Sequence, residues 1–263
     1  MTDTSPNQAI AWITEPLLKN EAIAHGWLGD RGKGKSVANK ILIEYLLQAN
    51  LVGLAFTMDD KTARGTIFKG AMRSNVAHYM NNYEGCGKHV IFRGTALKRD
   101  SNDVVRPGEI GQLAWDVVRA QDIQVLVNID ELSDATPGQG QAWLKGSDPL
   151  AQIFRKGRGA GISIVWTTQL PQTLPLEAFG LSETIGIFRL DGREVDYLVR
   201  KHVLTDDVAD VIPRLETGQW ILYRQGRGVW DGNIYKFRIK NRRGTADDDT
   251  HTAKGASNAD DSE

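Results

Sequence analysis

The chain has 263 residues, 41% hydrophobic and 8% aromatic, so it can bury a large core; its one cysteine, Cys86, excludes the small disulfide-stabilised folds of secreted proteins. The 32 Lys and Arg against 33 Asp and Glu give a net charge of −1, which argues against binding of nucleic acid by a uniformly basic surface. We therefore expect a cytoplasmic protein of one or two domains.

Residues 241–263 differ in composition from the rest of the chain. They hold six acidic and three basic residues and no large apolar side chain, so they cannot offset the entropy lost on ordering, and the remainder carries a small positive charge. The longest uncharged stretch of interest, residues 159–176, contains two prolines, two glutamines and three threonines, which is too polar for a membrane span. The sequence thus predicts a disordered acidic tail and no membrane span.

Apolar runs of strand length alternate with helical patterns along the chain. The predicted strands are residues 22–28, 51–57, 89–92, 125–129, 162–167 and 184–190. Helices are predicted over residues 36–48, from Pro107 through 112–120, and over 193–200 and 206–212. Residues 219–224 and 233–239 read as a C-terminal β-hairpin. This alternation predicts an α/β fold with a mostly parallel sheet covered by helices.

No glycine- or proline-rich linker interrupts residues 21–240, so the sequence favours a single domain there. We therefore expect an N-terminal arm over residues 1–20, one domain over residues 21–240 and the acidic tail over residues 241–263.

A glycine-rich segment lies between the first predicted strand and the helix that follows it. Its sequence is Gly29-Asp30-Arg31-Gly32-Lys33-Gly34-Lys35-Ser36, which matches the eight positions of the P-loop (Walker A) motif. Its glycines allow the backbone to curl so that N–H groups face phosphates at the positive end of the helix. Lys35 is predicted to reach the β- and γ-phosphates and Ser36 to hold Mg²⁺. A chance basic glycine turn is the alternative.

Two carboxylates end the buried strand over residues 125–129. Asp130 is placed to orient the Mg²⁺ and its water shell, and Glu131 to polarise a water for attack on the γ-phosphate, as in a Walker B motif. A plain surface turn is the alternative. Because the chain lacks an Asn-Lys-x-Asp run for reading guanine, we predict ATP and Mg²⁺ as the ligands, with hydrolysis as the reaction.

Residues 154–169, Phe-Arg-Lys-Gly-Arg-Gly-Ala-Gly-Ile-Ser-Ile-Val-Trp-Thr-Thr-Gln, resemble the FtsK/HerA superfamily of DNA-pumping ATPases, and Pro171 fits as well. That family has an arginine-bearing helix end, a turn, an apolar strand and a polar sensor. Residues 59–61, 187–190, 197–198 and 215–219 are similar to further family elements, so the resemblance covers about residues 20–240. Arg31 and Lys33 depart from the small polar residues common in the family's P-loop.

The resemblance implies a P-loop NTPase three-layer sandwich with strand order 5-1-4-3-2, assembled into a ring around DNA. Carried over by position, Gln169 is the γ-phosphate sensor, Arg158 the finger that reaches a neighbour's nucleotide, and Arg155 the second candidate for that role. The alternatives are a solvated helix face for both arginines and a structural hydrogen bond for Gln169.

A motor domain without a visible anchor or extra domain most resembles the genome-packaging ATPases of membrane-containing icosahedral viruses. The resemblance thus implies an ATP-driven translocase of double-stranded DNA, working as a ring-shaped homo-oligomer, with a hexamer as the expected size. A capsid vertex protein is a further candidate partner, in the host cytoplasm or the virion. The alternatives are a protein-export, conjugation or assembly ATPase and a non-motor nucleotide switch.

Basic side chains recur every three to five residues after the second predicted strand, at Lys61, Arg64, Lys69 and Arg73. Such a stripe can follow a phosphate backbone, and a solvated helix face is the alternative. Lys145 lies in a Gly- and Gln-rich stretch after the carboxylates and is a further candidate DNA contact. No base-reading module is visible, which predicts DNA binding with little sequence preference.

Overall fold

The computed structural model describes residues 3–4, 6–58, 66–68, 89–92, 107–136, 143, 146–224 and 229–236. Its strands are β1 (Asp3–Thr4), β2 (Ala24–Leu28), β3 (Leu54–Met58), β4 (Thr66–Phe68), β5 (His89–Phe92), β6 (Val125–Ile129), β7 (Ile162–Thr168), β8 (Thr184–Phe188), β9 (Gln219–Arg224) and β10 (Val229–Lys236). Its α-helices are α1 (Pro6–Thr14), α2 (Lys35–Gln48), α3 (Pro107–Gln121), α4 (Leu132–Ala135), α5 (Pro149–Ala160), α6 (Leu176–Gly180), α7 (Gly192–Arg200) and α8 (Asp206–Ala209). Short 3₁₀ turns span Glu15–Lys19, Pro171–Thr173 and Ile212–Arg214.

These strands join one sheet, in the order β1-β10-β9-β8-β2-β7-β6-β3-β5-β4. The strands from β8 to β4 are parallel to one another, whereas β9 is antiparallel to both β8 and β10. The predicted α/β class, the mostly parallel sheet and the C-terminal hairpin are therefore confirmed.

The full strand order differs from the 5-1-4-3-2 order that the resemblance implies. Strands β8, β2, β7, β6 and β3 lie side by side and correspond to that order. The sheet continues with further strands beyond β8 on one side and beyond β3 on the other. On one side β5 pairs with β3, with Ala55 opposite His89, and β4 pairs with β5; on the other side β9 continues from β8. The added strands satisfy backbone groups that an edge strand would leave open.

The sheet separates two hydrophobic clusters, as expected for strands buried on both faces. One face packs against α1 and α2, through residues such as Trp27 and Leu42. The other face packs against α3, α5 and α7, through residues such as Val127 and Phe154. Because helices cover both faces, the predicted three-layer sandwich is confirmed, and the carboxyl ends of the parallel strands are left to form a site.

Two cross-strand pairs of glycine and tryptophan lie in the middle of the sheet. Gly26 is paired with Trp166, and a Cβ at Gly26 would lie 2.3 Å from the Trp166 ring. Gly186 is paired with Trp27, and a Cβ there would lie 2.1 Å from the Trp27 ring. Both tryptophans are fully buried. Each ring therefore lies over a strand position that must lack a side chain.

The N-terminal segment packs onto the sheet. Helix α1 and the turn after it bury Ala9, Ile10, Ile13 and Leu17 in the same cluster as α2. Strand β1 pairs with β10, with Asp3 opposite Ile234. The sequence predicted only an arm here, and the domain boundaries at residues 20 and 240 stay predictions.

Most predicted helices occur close to their expected bounds. Helix α2 begins one residue before the predicted residues 36–48, and the helix predicted from Pro107 is α3. The predicted helix over residues 206–212 is divided into α8 and a 3₁₀ turn that contains Pro213, whose nitrogen has no hydrogen to donate. Within the described ranges, no helix is both long and apolar enough to cross a bilayer.

Candidate active site

The P-loop connects the carboxyl end of β2 to the amino end of α2. Gly29, Gly32 and Gly34 have φ angles of +149°, +76° and +118°, which side chains with a Cβ rarely adopt. Gly34 is the residue directly before the helix, so the N–H groups of the first turn of α2 point into the loop. The three glycines thus give the loop the curl that the sequence predicts.

Two backbone hydrogen bonds fix the P-loop against neighbouring segments. The Asp30 N–H donates to the Arg189 carbonyl oxygen at 2.8 Å, and the Gly218 N–H donates to the Lys33 carbonyl oxygen at 3.0 Å. A Cβ at Gly29 would lie 2.6 Å from the Phe188 Cβ, so the loop packs closely on the end of β8. Residues 187–190 and 215–219, both part of the resemblance, therefore contact the P-loop directly.

Lys35 is folded back onto its own loop. Its Nζ donates to the carbonyl oxygens of Gly29 at 2.5 Å and of Asp30 at 2.9 Å, and the residue is only 7% exposed. Burial lowers the pKa of Lys35, while the charges of Glu131, Asp130 and Asp30 act in the opposite direction. A cation is thereby held at the centre of the curled loop, within the field of the strand-end carboxylates.

The end of β7 holds the carboxylates that follow β6. The Thr167 hydroxyl donates to Asp130 Oδ1 at 2.5 Å and accepts a hydrogen bond from the Glu131 N–H at 3.0 Å. These strands are neighbours, with Ile129 opposite Trp166, so residues just after both strand ends meet at one edge. One hydroxyl therefore fixes both the Asp130 side chain and the Glu131 backbone.

Within the described part of the chain, four hydrogen bonds reach the Glu131 carboxylate. Oε1 accepts from the Ser133 hydroxyl at 2.7 Å, the Thr168 hydroxyl at 2.7 Å and the Gln169 N–H at 3.0 Å. Oε2 accepts from Gln169 Nε2 at 3.1 Å. Glu131 has a φ of +52°, a left-handed conformation that is unfavourable for a residue with a side chain. The carboxylate is thus held in one orientation, and the predicted sensor Gln169 touches it through both backbone and side chain.

Arg158 lies away from the P-loop of its own chain. It forms ion pairs with Glu21, which precedes β2, and with Glu183 Oε1 at 2.6 Å, which precedes β8. Both glutamates precede the amino ends of parallel strands, whereas the P-loop lies at the carboxyl ends. Arg158 is therefore on the opposite side of the domain from the site of its own chain. Hydrogen bonding to Glu21 and the charge of Glu183 raise the pKa of Arg158. Arg155 is exposed on the same helix, α5.

Several predicted contacts fall outside the described residues. The undescribed residues include all the predicted DNA contacts, namely Lys61, Arg64, Lys69, Arg73 and Lys145. They also include Asp59 and Asp60 of the resemblance.

The sequence reasoning missed three residues that contact the carboxylates: Ser133, Thr167 and Thr168. The sequence places Thr167 at the end of a predicted strand and Thr168 in the sensor motif of the resemblance, and it assigns neither a contact with the carboxylates. The signal was a pair of hydroxyl residues at the end of the strand next to the one that carries the acids. Ser133 follows Glu131 by only two residues, but no motif of the sequence analysis includes it.

The donor set fits a nucleoside triphosphate with Mg²⁺. The loop presents N–H groups and the Lys35 cation, which suit phosphate oxygens. Ser36 in the first turn of α2 and Asp130 offer hard oxygen ligands, which Mg²⁺ prefers. Among the described residues, no group of three or more His, Cys, Asp or Glu side chains forms a metal site of its own. Mg²⁺ is usually bound by one or two side chains together with phosphate oxygens and water, a pattern that Ser36 and Asp130 would suit.

Comparison with known proteins gives similarity in structure alone. No protein-family model and no curated protein sequence matches the chain. The genome packaging NTPase B204 from Sulfolobus turreted icosahedral virus 2, in complex with AMPPCP, superposes with a TM-score of 0.63 at 13% identity, covering 84% of this chain and 99% of B204. VirB4 of Thermoanaerobacter pseudethanolicus gives a TM-score of 0.59 at 8% identity, covering 82% and 90%.

The bacterial conjugative coupling protein TrwBdeltaN70 also superposes, with a TM-score of 0.55 at 10% identity, covering 90% of this chain and 91% of that chain. At such low identities the likeness bears on the fold. This chain therefore has the fold of the FtsK/HerA-type P-loop ATPases, as its sequence resemblance implies.

Proposed function

We propose that this protein is a Mg²⁺-dependent ATPase that works as an oligomeric motor and moves double-stranded DNA. The observation that carries the proposal is the Glu131 carboxylate, held by Thr168 and Gln169 at the sheet edge where its charge acts on Lys35 of the P-loop. A phosphate cradle, a cation, an oriented carboxylate and a sensor amide at one edge are the parts that ATP hydrolysis needs.

The P-loop binds the phosphates. Lys35 exchanges its hydrogen bonds with the carbonyl oxygens of Gly29 and Asp30 for bonds to phosphate oxygens, which are better acceptors because they are charged. Ser36 and Asp130 would hold Mg²⁺, which supplies positive charge to the phosphates. Arg31 is exposed and Lys33 half-buried in the loop, and both add positive charge near the phosphates.

Glu131 orients the attacking water and takes its proton. In the structure its two oxygens already accept four hydrogen bonds, so the carboxylate has to exchange one donor for the water. Gln169 Nε2 is the single donor to Oε2 among the described contacts, and it is also the side chain that the resemblance assigns to sensing the γ-phosphate. Movement of Gln169 toward a phosphate would free Oε2 for water.

Arg158 supports an oligomer. It lies at the end of the sheet opposite its own P-loop and is 60% exposed, so a finger role for it requires the nucleotide of another subunit. We propose Arg158 as the finger that stabilises charge in the transition state, with Arg155 as the second candidate. A ring such as a hexamer supplies every subunit with one neighbouring finger.

DNA is the proposed cargo because two structural neighbours are named as a genome packaging NTPase and a conjugative coupling protein. Packaging of a viral genome, with a capsid vertex protein as partner, is the specific form that we propose, in the host cytoplasm or the virion. A protein-export or assembly ATPase on the same fold is the second candidate, favoured by the likeness to VirB4.

The deciding experiment measures ATP hydrolysis with and without duplex DNA of unrelated sequences, over a series of salt concentrations. We expect stimulation by every duplex, fading with salt at a log–log slope of about −0.9 per neutralised phosphate. Replacing Lys61, Arg64, Lys69 and Arg73 together by Gln should reduce the slope, whereas Arg119→Gln on the exposed face of α3 is the control and should not. Lys145→Gln tests the remaining predicted contact. Hydrolysis that no DNA stimulates at any salt concentration would favour the export candidate.

A further inference from the structure

A row of four buried polar side chains crosses the face of the sheet that packs on α2. Asn39, Asn128, Thr57 and His89 are 1%, 1%, 0% and 8% exposed. Asn39 Nδ2 donates to Asn128 Oδ1 at 2.9 Å, and Asn128 Nδ2 donates to Thr57 Oγ1 at 3.4 Å. Thr57 Oγ1 lies 2.9 Å from His89 Nε2. The row connects α2 with β6, β3 and β5 in turn.

The positions in the row follow from helix and strand geometry. Thr57 and Asn128 are paired across β3 and β6, and neighbours on parallel strands share a face. Asn128 also shares its face with Asp130, because side chains two residues apart point to the same side. On α2, Asn39 comes one turn after Lys35 and Ser36. The Asn39–Asn128 bond therefore ties the helix that carries Ser36 to the strand that carries Asp130.

The surroundings of this bond are apolar. The same cluster contains Ala38, Leu42, Ala55 and Leu126, so hydrophobic side chains would fill the space without any need for hydrogen bonds. Asn39 Oδ1 is buried and has no hydrogen-bond partner among the described residues. A buried amide pair is thus retained although it leaves an acceptor unsatisfied. What an amide pair adds over apolar packing is direction and a fixed length.

We propose that Asn39 and Asn128 are positioning residues that set the spacing between Ser36 and Asp130, and hence the Mg²⁺-dependent part of nucleotide binding. Both residues are only 1% exposed, so neither side chain is open to a nucleotide in the P-loop. Their bond fixes α2 against β6 just below the site, and Thr57 extends the fixed unit to β3. The inference rests on the proposed function, because it assigns Mg²⁺ to Ser36 and Asp130.

The experiment compares the wild-type chain with Asn39→Leu, Asn128→Leu and the double variant. Leu has the same number and branching of side-chain heavy atoms as Asn but is bulkier, so each change replaces the amide with apolar packing. Thr57→Val removes the hydroxyl of the row and Thr57→Ser keeps it. Ser163→Ala is the control, because it removes a buried hydroxyl that accepts from the Ile23 N–H, a backbone group before the amino end of β2.

Two measurements are made on each variant. The first is the factor by which Mg²⁺ raises the affinity for a non-hydrolysable ATP analogue, obtained by calorimetry with and without the ion. The second is the kcat and KM of ATP hydrolysis, at a temperature well below the measured Tm of every variant. The first measurement requires no turnover, so it reports on the site even in an inactive chain.

We expect each Asn→Leu variant to lose about tenfold of the gain from Mg²⁺, the lower end of the range for direct hydrogen-bond partners of metal ligands, because the amide pair acts on the ligands through the backbone. Affinity without Mg²⁺ should stay within about threefold. The double variant should lose no more than the worse single variant, because both changes remove the same bond. The kcat should fall in the same variants that lose the Mg²⁺ gain. Thr57→Ser should retain more of the Mg²⁺ gain than Thr57→Val, and Ser163→Ala should have the same Mg²⁺ gain and kcat as the wild type.

An unchanged gain from Mg²⁺ in the Asn→Leu variants, with only the Tm lowered, would mean that the row serves packing alone and would overturn the inference. Additive losses in the double variant would overturn it as well, since the two side chains would then act separately. A wild-type chain that shows neither a gain from Mg²⁺ nor hydrolysis would overturn the proposed function itself. The failures are therefore distinguishable.

Discussion

Replacing Glu131 by Gln separates nucleotide binding from hydrolysis. The amide oxygen can keep the three donors that now meet Oε1, from Ser133, Thr168 and the Gln169 backbone. The new amide nitrogen then faces Gln169 Nε2, and a rotation of the Gln169 amide presents its oxygen as an acceptor. All four contacts survive without the charge, so the loss of stability should be about 1 kcal/mol, or about 2–4 °C in Tm.

Turnover should fall much further than stability. Gln at this position cannot accept the proton of the attacking water, and loss of a general base typically lowers the rate by about 10²–10⁴-fold. The P-loop and the metal ligands are unchanged, so ATP binding should persist. Phosphate release measures the turnover, and a fluorescent ATP analogue measures the binding.

Glu177→Gln is the matched control, since it makes the same chemical change at an exposed position of α6. It should alter neither the turnover nor the binding of ATP. Glu131→Ala provides a second comparison. It removes the acceptor of all four donors, and we expect it to cost about 1–3 kcal/mol of stability. Near-normal turnover in Glu131→Gln would remove Glu131 from the proposed mechanism.

Three further variants test the remaining assignments. Lys35→Ala should abolish hydrolysis and weaken ATP binding, measured by calorimetry, because the phosphates lose their cation; unchanged affinity would contradict the role of Lys35. Arg158→Ala should keep ATP binding and lose turnover, and mixing it with Lys35→Ala should restore some activity if Arg158 acts across subunits; Glu183→Gln, which breaks one ion pair but keeps the arginine, is the control. No recovery in oligomers shown to form would refute that action. Removal of residues 241–263 should shift the Tm little, and a drop of many degrees would show that the tail docks.

The sequence was most informative where backbone geometry depends on residue type. The P-loop was predictable because only glycine readily adopts the positive φ angles found at Gly29, Gly32 and Gly34. The strand before Asp130 was predictable because strands buried on both faces are nearly continuous apolar runs, and only Asn128 is polar in β6. Contacts between distant segments were harder, since Thr167 meets Asp130 only after β6 and β7 have paired.

The N-terminal segment shows a second limit. Its apolar residues, such as Ile10 and Ile13, pack against the sheet, yet a nine-residue helix with few of them gives a weak periodic signal. The partners of Arg158 were equally hidden. Glu21 and Glu183 are far from it in sequence and come near only because β2, β7 and β8 are neighbours in the sheet. Tertiary pairing of this kind leaves no local pattern.

The glycine and tryptophan pairs of the central sheet have a consequence for how such a chain can diverge. At Gly186, even the methyl group of alanine would collide with the ring of Trp27, and the same holds for Gly26 and Trp166. A substitution at either glycine is therefore harmful until the facing tryptophan has become smaller, and a smaller residue at the tryptophan leaves a void until the glycine has grown. Each pair can change only through a less stable intermediate. Among homologues, we expect the two positions of a pair to be inherited together and exchanged together.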